Sequence, residues 1–286
     1  ATWELFRAHF GRPPREGRDG TQVGATLGVL ESLLALLRDP GVTHVACATD
    51  SVIRSWRNDR WPGYKTEAGM DPAILAQLPL LEEALDALGL IVWPMVEMEA
   101  DDALATAAAR WATHPAVERV VICSPDKDLA QCVREDGRVI LFDRRKGQPM
   151  DADGVRERYG VDPASIPDLL ALTGDAADGY PGLPGWGAVS SAAVLRRYGH
   201  LEAIPDRAKA WDCSVRGAER LAATLREQRG EATLFRELAT LRTDAPVPQR
   251  EPDALRWHGA DRAKMAAIAD RLAAPRLLDR VHGWAG

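Results

Sequence analysis

Long apolar runs are missing from this 286-residue chain. A bilayer-spanning helix needs about 20 consecutive apolar residues, so none is expected. Cysteine is scarce. Cys47, Cys123, Cys132 and Cys213 are the whole complement, and no two have the spacing of a zinc site. Cys47 and Cys123 sit in apolar, strand-like runs and are expected to be buried thiols, in keeping with a reducing, cytoplasmic setting. An excess of basic residues is missing as well. Lys and Arg number 36 against 42 Asp and Glu, a net charge of −6. That balance argues against a simple electrostatic nucleic-acid binder. The start shows no signal peptide. It begins at Ala1 without an initiator Met, so residues are expected to precede it in the natural protein. What is abundant is apolar content, 46%, enough for a sizeable core in one large domain or a core with a second lobe.

Short apolar runs alternate with helix-like patterns in the first half. Residues 42–48 (VTHVACA), 90–94 (LIVWP), 119–123 (RVVIC) and 138–142 (RVILF) read as strands. Residues 23–38, 72–88 and 100–111 have helical apolar spacing. Strands alternating with helices predict an α/β domain with a mostly parallel sheet covered on both faces. After about residue 150 the strand patterns stop and short helices take over. Residues 180–187 (YPGLPGWG) are too rich in Gly and Pro for anything but a tight, irregular turn, and a helical pattern follows over 188–198. The expected division is an α/β core over 1–150, a helical module over 151–250 and a tail over 251–286.

Acidic residues collect where open α/β sheets carry ligands, at the carboxyl ends of strands. Asp50 follows the first strand. Glu99, Asp101 and Asp102 follow the second and open a helix. Asp126 and Asp128 follow the third. Asp175 and Asp178 precede the Gly/Pro turn. Any one group is explained by helix capping and the helix dipole. Together they imply that three strand ends deliver carboxylates to one edge of one sheet, where like-charge repulsion calls for cations. Oxygen-only ligands favour Mg²⁺ or Mn²⁺ over zinc. Two such ions about 4 Å apart can activate a water and stabilise the leaving oxygen of a phosphodiester.

Six segments, in order, carry a resemblance: WELFRAHF at 3–10, Asp50 with Trp56, Arg57, Tyr64 and Lys65, MEADDALA at 98–105, SPDKDLAQCV at 124–133, LTGDAADGYPGLPGWG at 172–187, and LATLRTDAPV at 238–247. They resemble the 5′ nuclease superfamily: the 5′-3′ exonuclease domains of bacterial DNA polymerases I, phage 5′ exonucleases and flap endonucleases. The resemblance covers roughly residues 1 to 250. It implies a PIN-like sheet followed by a helix–three-turn–helix module, in a structure-specific 5′-3′ exonuclease or flap endonuclease of the standalone bacterial type. The enzyme would act by two-metal-ion catalysis in replication and repair.

The first metal site implied is Asp50, Glu99 and Asp101, with Asp102 beside them. The second is Asp126, Asp128 and Asp178, with Asp175 close by. Lys65 resembles the lysine that contacts the scissile phosphate, and Arg57 and Arg7 are further catalytic candidates. Each of these cations would otherwise be an exposed, solvated charge. Tyr64, like Trp56 and Trp61, is a candidate for stacking on an unpaired base, with core packing the alternative for Trp56. Gly182, Leu183, Gly185, Trp186 and Gly187 form the expected hairpin, gripping duplex phosphates and holding K⁺ through backbone carbonyls. Implied partners are DNA with 5′ flaps, nicks or free 5′ ends, RNA–DNA primers included, bound by a monomer away from membranes. Departures from the family pattern are Ala68 for an Arg, Gly179 for an Asn and Pro184 for a Lys. The family also has an Asp immediately before the position of Ala1, at the end of a first strand. Two other classes stand beside this reading: a non-catalytic DNA-structure binder of the same fold, and a ribonuclease of the wider fold group.

Overall fold

The computed structural model describes residues 2–286. The expectation about what precedes Ala1 lies outside them. The elements in chain order are α1 (Thr2–Gly11), α2 (Gly24–Leu36), β1 (Ala46–Asp50), α3 (Trp56–Arg60), α4 (Pro72–Leu75), α5 (Gln77–Ala87), β2 (Ile91–Met95) and α6 (Ala100–Trp111). There follow β3 (Val120–Ile122), β4 (Val139–Asp143), β5 (Gln148–Met150), α7 (Ala152–Tyr159), α8 (Ile166–Thr173), α9 (Ala188–Tyr198), α10 (Ala218–Glu227), α11 (Arg229–Ala239) and α12 (Arg262–Arg271). They form two compact units, each discontinuous in sequence. One comprises residues 1–53, 67–103 and 244–286; the other comprises 54–66 and 104–243.

In the first unit β1 and β2 run parallel, with Ala46 opposite Ile91 and Asp50 opposite Met95. The first strand therefore begins later than its apolar run and ends on Asp50 itself. Residues 42–44 stay outside it, with Thr43 and His44 exposed. The helices around this pair are largely buried, α2 continuously from Ala25 to Leu30. Helix α2 contributes Leu27, Leu30, Leu33 and Leu34; α5 contributes Leu78, Leu81, Ala84 and Leu85. These are the i, i+3, i+7 positions expected of a core-facing helix. Gln77, buried at the start of α5, accepts the backbone N–H groups of Ala25 and Thr26, each at 3.1 Å. It thereby satisfies two of the orphan donors at the amino end of α2. The carboxyl-terminal segment belongs to this core. Asp261 caps α12 by accepting from Lys264 N at 3.0 Å, and Met265, Ile268, Ala269 and Leu272 are buried.

The second unit holds β3 and β4, parallel with Val120 opposite Val139, and β5, antiparallel to β4 with Leu141 opposite Met150. Its helices pack through Leu169, Leu170 and Leu172 of α8, Leu221 and Leu225 of α10, and Phe235 and Leu238 of α11. Asp168 of α8 is buried but well supplied. It accepts from Leu201 N at 3.1 Å, and meets His200 Nδ1 at 2.9 Å and Arg236 at 3.4 Å.

Parallel pairing is as expected, but the strands do not form one sheet. Among the described residues β1 pairs only with β2, and β3 and β4 belong to a separate three-stranded sheet. Apolar periodicity identifies strands; it carries no information about which strands are neighbours. No helix of the described residues is long and apolar enough to cross a membrane. Cys47 is buried as expected, whereas Cys123, one residue beyond the three-residue β3, is only partly so.

Candidate metal centre and hairpin

One set of three potential metal-ligating side chains converges among the described residues. Asp128, Asp175 and Asp178 each offer a carboxylate oxygen, and the three oxygens lie within 4.8 Å of one another. Their positions follow from local geometry. Asp128 opens a short 3-10 turn after β3, and its N–H donates to Asp126 Oδ1 at 3.1 Å. Asp126 N in turn donates to Ser124 Oγ at 3.2 Å. Asp175 lies just past the end of α8 in a turn closed by backbone bonds to Gly179 and Tyr180, and its Oδ1 accepts Ala177 N at 3.0 Å. Asp178 is fixed through its carbonyl, which accepts Lys65 N at 3.0 Å.

Such a cluster carries repulsion that something positive must offset. Two lysines do so. Lys65 Nζ lies 2.9 Å from Asp178 Oδ1, and Lys127 Nζ lies 2.6 Å from Asp175 Oδ2. Burial pulls the Lys127 ammonium down, but its hydrogen bond to Asp175 and the charges of Asp175, Asp128 and Asp126 outweigh this and hold it above its ordinary value. Lys127 was not among the residues expected from sequence, although it stands between two that were. Tyr180 is also at the cluster. Burial, and then the negative charges of Asp128, Asp178 and Asp175, push its phenol far above the ordinary range. Its hydroxyl is buried without a hydrogen-bond partner among the described residues. Three hard oxygen donors and an unsatisfied hydroxyl suit a hydrated divalent cation.

The unit comprising β1 and β2 has an acidic group of its own, at the amino end of α6. Asp50 Oδ1 accepts Ala100 N at 2.7 Å, and Asp50 N donates to Thr2 Oγ1 at 2.8 Å. Glu99 N donates to Asp102 Oδ2 at 3.1 Å, and Asp102 N donates back to the Glu99 carbonyl at 3.0 Å. Asp102 is fully buried in this capping arrangement, Glu99 is buried, and Asp50 and Asp101 are half-buried. Asp50 and Asp102 each give one carboxylate oxygen to this capping arrangement.

The other cations occupy different surroundings. Arg7, on α1, is ion-paired with Glu4 one turn earlier. Arg57 is 1% exposed. Its guanidinium donates to the carbonyls of Leu238 at 2.7 Å and Thr240 at 3.3 Å, where α11 ends. This corrects the solvated-charge reading of Arg57: it is a buried cation serving the orphan carbonyls of a helix terminus. Arg57→Met is therefore expected to destabilise the fold by at least ~2 kcal/mol, the cost of stranding buried acceptors. Thermal melting checks this; a loss of activity with an unchanged melting temperature contradicts it.

Tyr64 is corrected in the same way. Its ring is 3% exposed within the core and has no free face for a base, although Lys65 Nζ lies 5.4 Å above it. Trp61 packs edge-on against Phe235, with ring centroids 5.4 Å apart, and donates to Gly179 O at 3.0 Å. Charge and aromatic character identify residues that could meet DNA; they do not say which are spent inside.

The Gly/Pro segment is a hairpin between α8 and α9. Leu183 and Trp186 turn inward and anchor it in the core, 3% and 6% exposed, while Pro184, Gly185 and Gly187 face outward. Of the five hairpin residues expected to meet DNA, the two with large side chains thus offer only backbone. Ser190 steadies the start of α9, its Oγ accepting Gly187 N at 3.1 Å.

A parallel-stranded unit with helices, a carboxylate cluster after β3 and a helical hairpin together define a metal-binding α/β fold with a helix–hairpin–helix module. Comparison with known proteins gives the class a family. Residues 1–160 match the 5′-3′ exonuclease N-terminal resolvase-like domain, and residues 161–263 match the 5′-3′ exonuclease C-terminal SAM fold. The chain belongs to the 5′-3′ exonuclease family. It is 35% identical over 290 residues to a 5′-3′ exonuclease of Streptomyces coelicolor, covering 93% of this chain and 92% of that one. It is 34% identical over 283 residues to DNA polymerase I of Mycobacterium leprae, covering 96% of this chain but 30% of the polymerase. Two solved structures share the fold. The T5 D15 protein co-crystallized with metal ions has a TM-score of 0.61 at 17% identity, covering 89% of this chain and 91% of that one. The catalytic core of Rad2 in complex with DNA substrate has a TM-score of 0.61 at 16% identity, covering 98% and 88%.

Proposed function

We propose that this chain is a metal-dependent 5′-3′ exodeoxyribonuclease and flap endonuclease that hydrolyses DNA phosphodiesters near 5′ ends. The observation that carries the reading is the convergence of Asp128, Asp175 and Asp178 beside Lys65. Asp128, Asp175 and Asp178, with Asp126 orienting Asp128, would hold one Mg²⁺ or Mn²⁺. Asp50, Glu99, Asp101 and Asp102 would supply the ligands for the other. Divalent ions so held would supply an acidified water and neutralise charge on the phosphate.

The protein's own groups do the rest. Lys65, half-exposed and anchored through its backbone to Asp178, is placed to leave that carboxylate for the scissile phosphate. Lys127 can likewise release Asp175, so positive charge stays at the site while the anion enters. Arg7, on α1, is within reach of solvent and is proposed to steady the 5′ strand. The hairpin is proposed to grip duplex phosphates through the outward backbone at Gly185 and Gly187, with K⁺ on its carbonyls.

The test is substrate choice. In Mg²⁺ or Mn²⁺ the chain is expected to cut a 5′-labelled flap DNA, and nicked or 5′-ended duplex, while leaving a single-stranded RNA intact. Preference for the RNA would assign it to ribonuclease chemistry instead. Tight flap binding without cleavage would leave a DNA-structure binder.

A further inference from the structure

We propose that Arg220, in the first turn of α10, is a duplex phosphate contact that supplies the charge the hairpin itself lacks. This rests on the hairpin reading given above. No Lys or Arg occurs between residues 179 and 195. The outward positions of the turn are Pro184, which has neither a charge nor a backbone N–H, and two glycines. Val189, 86% exposed in the first turn of α9, adds nothing an anion could use. The backbone N–H groups alone would have to hold a phosphodiester against solvent and salt.

The fold brings a cation to this point from more than thirty residues away in sequence. Gly185 has φ +85°, and a side chain built on it would meet Arg220 first: Nη2 at 3.2 Å, with Cζ and Nε at 3.5 Å. The planar guanidinium therefore lies against the bare face of the turn, close to the outward backbone. The backbone conformation favours glycine there.

Arg220 is also exposed and makes no ion pair among the described residues. Arg197 pairs with Asp212, Arg229 with Asp206, and Arg236 with Glu202 and Asp168. An arginine held against a turn but left without a carboxylate has its donors available to a planar, bidentate anion, and a phosphate matches that fork.

The experiment is equilibrium binding of the full chain, in EDTA to prevent cleavage, to a blunt duplex and to a single strand. Binding is measured across a range of NaCl concentrations at fixed K⁺, for wild type, Arg220→Ala and Arg220→Lys. A phosphate contact predicts that Arg220→Ala lowers duplex affinity by about tenfold at low salt. It also predicts that the slope of log affinity against log salt becomes shallower by about 0.9, the release of one counterion. Single-strand affinity should be unchanged. Arg220→Lys should restore the slope but only part of the affinity, because an ammonium has no fork.

An unchanged slope in a folded Arg220→Ala protein overturns the proposal, as does an equal loss on duplex and single strand. Arg220→Lys covers the case in which Arg220→Ala folds poorly, since it keeps the charge and the stem. Failure of the underlying hairpin reading looks different. Wild type would then show no preference for duplex, and Gly185→Val would leave duplex binding unaltered, which overturns both readings together.

Discussion

Replacing Asp128 by Asn is expected to lower the single-turnover cleavage rate on a flap DNA by on the order of a thousandfold, about 4 kcal/mol of barrier. Affinity for the same DNA should stay within about threefold, or tighten. Asparagine matches the carboxylate in size and keeps one oxygen, so the buried position after β3 loses charge and little packing. What it loses is the anionic member of the trio with Asp175 and Asp178. A cation is then held less firmly, while a phosphate approaching the cluster meets one negative charge fewer. Asp126→Asn is expected to act in the same direction through the Asp128 N–H that its Oδ1 accepts. Binding and single-turnover cleavage measured on one substrate decide the matter. Equal losses in both would make these residues supports of the fold, not of the chemistry.

The second large effect is on stability. Gly182→Ala is expected to cost at least ~3 kcal/mol, from a left-handed backbone and an unavoidable clash. Gly182 has φ +68°, and a Cβ there would lie 2.2 Å from Gly174 N, 2.5 Å from Thr173 C and 2.7 Å from Leu172 O. All three atoms are backbone at the end of α8, so none can swing aside. Gly185→Ala makes the control. Its backbone conformation is also left-handed, but its nearest neighbour is the movable Arg220 side chain. It should cost only about 1–2 kcal/mol. Chemical denaturation of both variants tests the contrast; equal costs would mean that the packing of the hairpin on α8 contributes little.

Much of the site was legible because the chemistry sits in short, contiguous motifs. Asp126, Asp128, Asp175 and Asp178 could be named from strand ends and from the edge of a Gly/Pro turn, and Lys65 from the resemblance to the 5′ nuclease superfamily. Three of those carboxylates do converge. What was not legible depends on partners distant in sequence. Arg57 is buried because α11, some 180 residues later, ends beside it. The carboxyl-terminal segment is set apart as a tail in the sequence, yet Met265 and Ile268 complete a core with α5 and α2. The segment at 3–10 was recognised as a motif without being read as a helix, and it forms α1. Nothing in the sequence singles out Lys127, although it has the shorter of the two lysine–carboxylate contacts at the cluster.

The central claim is that cleavage depends on divalent cations held by these carboxylates. It is tested most directly by following a 5′-labelled flap DNA through chelation and re-addition. The account predicts no product in excess EDTA and full recovery with Mg²⁺ or Mn²⁺. Zinc should recover little, and labelled fragments should come from the 5′ end. Undiminished cleavage in excess EDTA would contradict it.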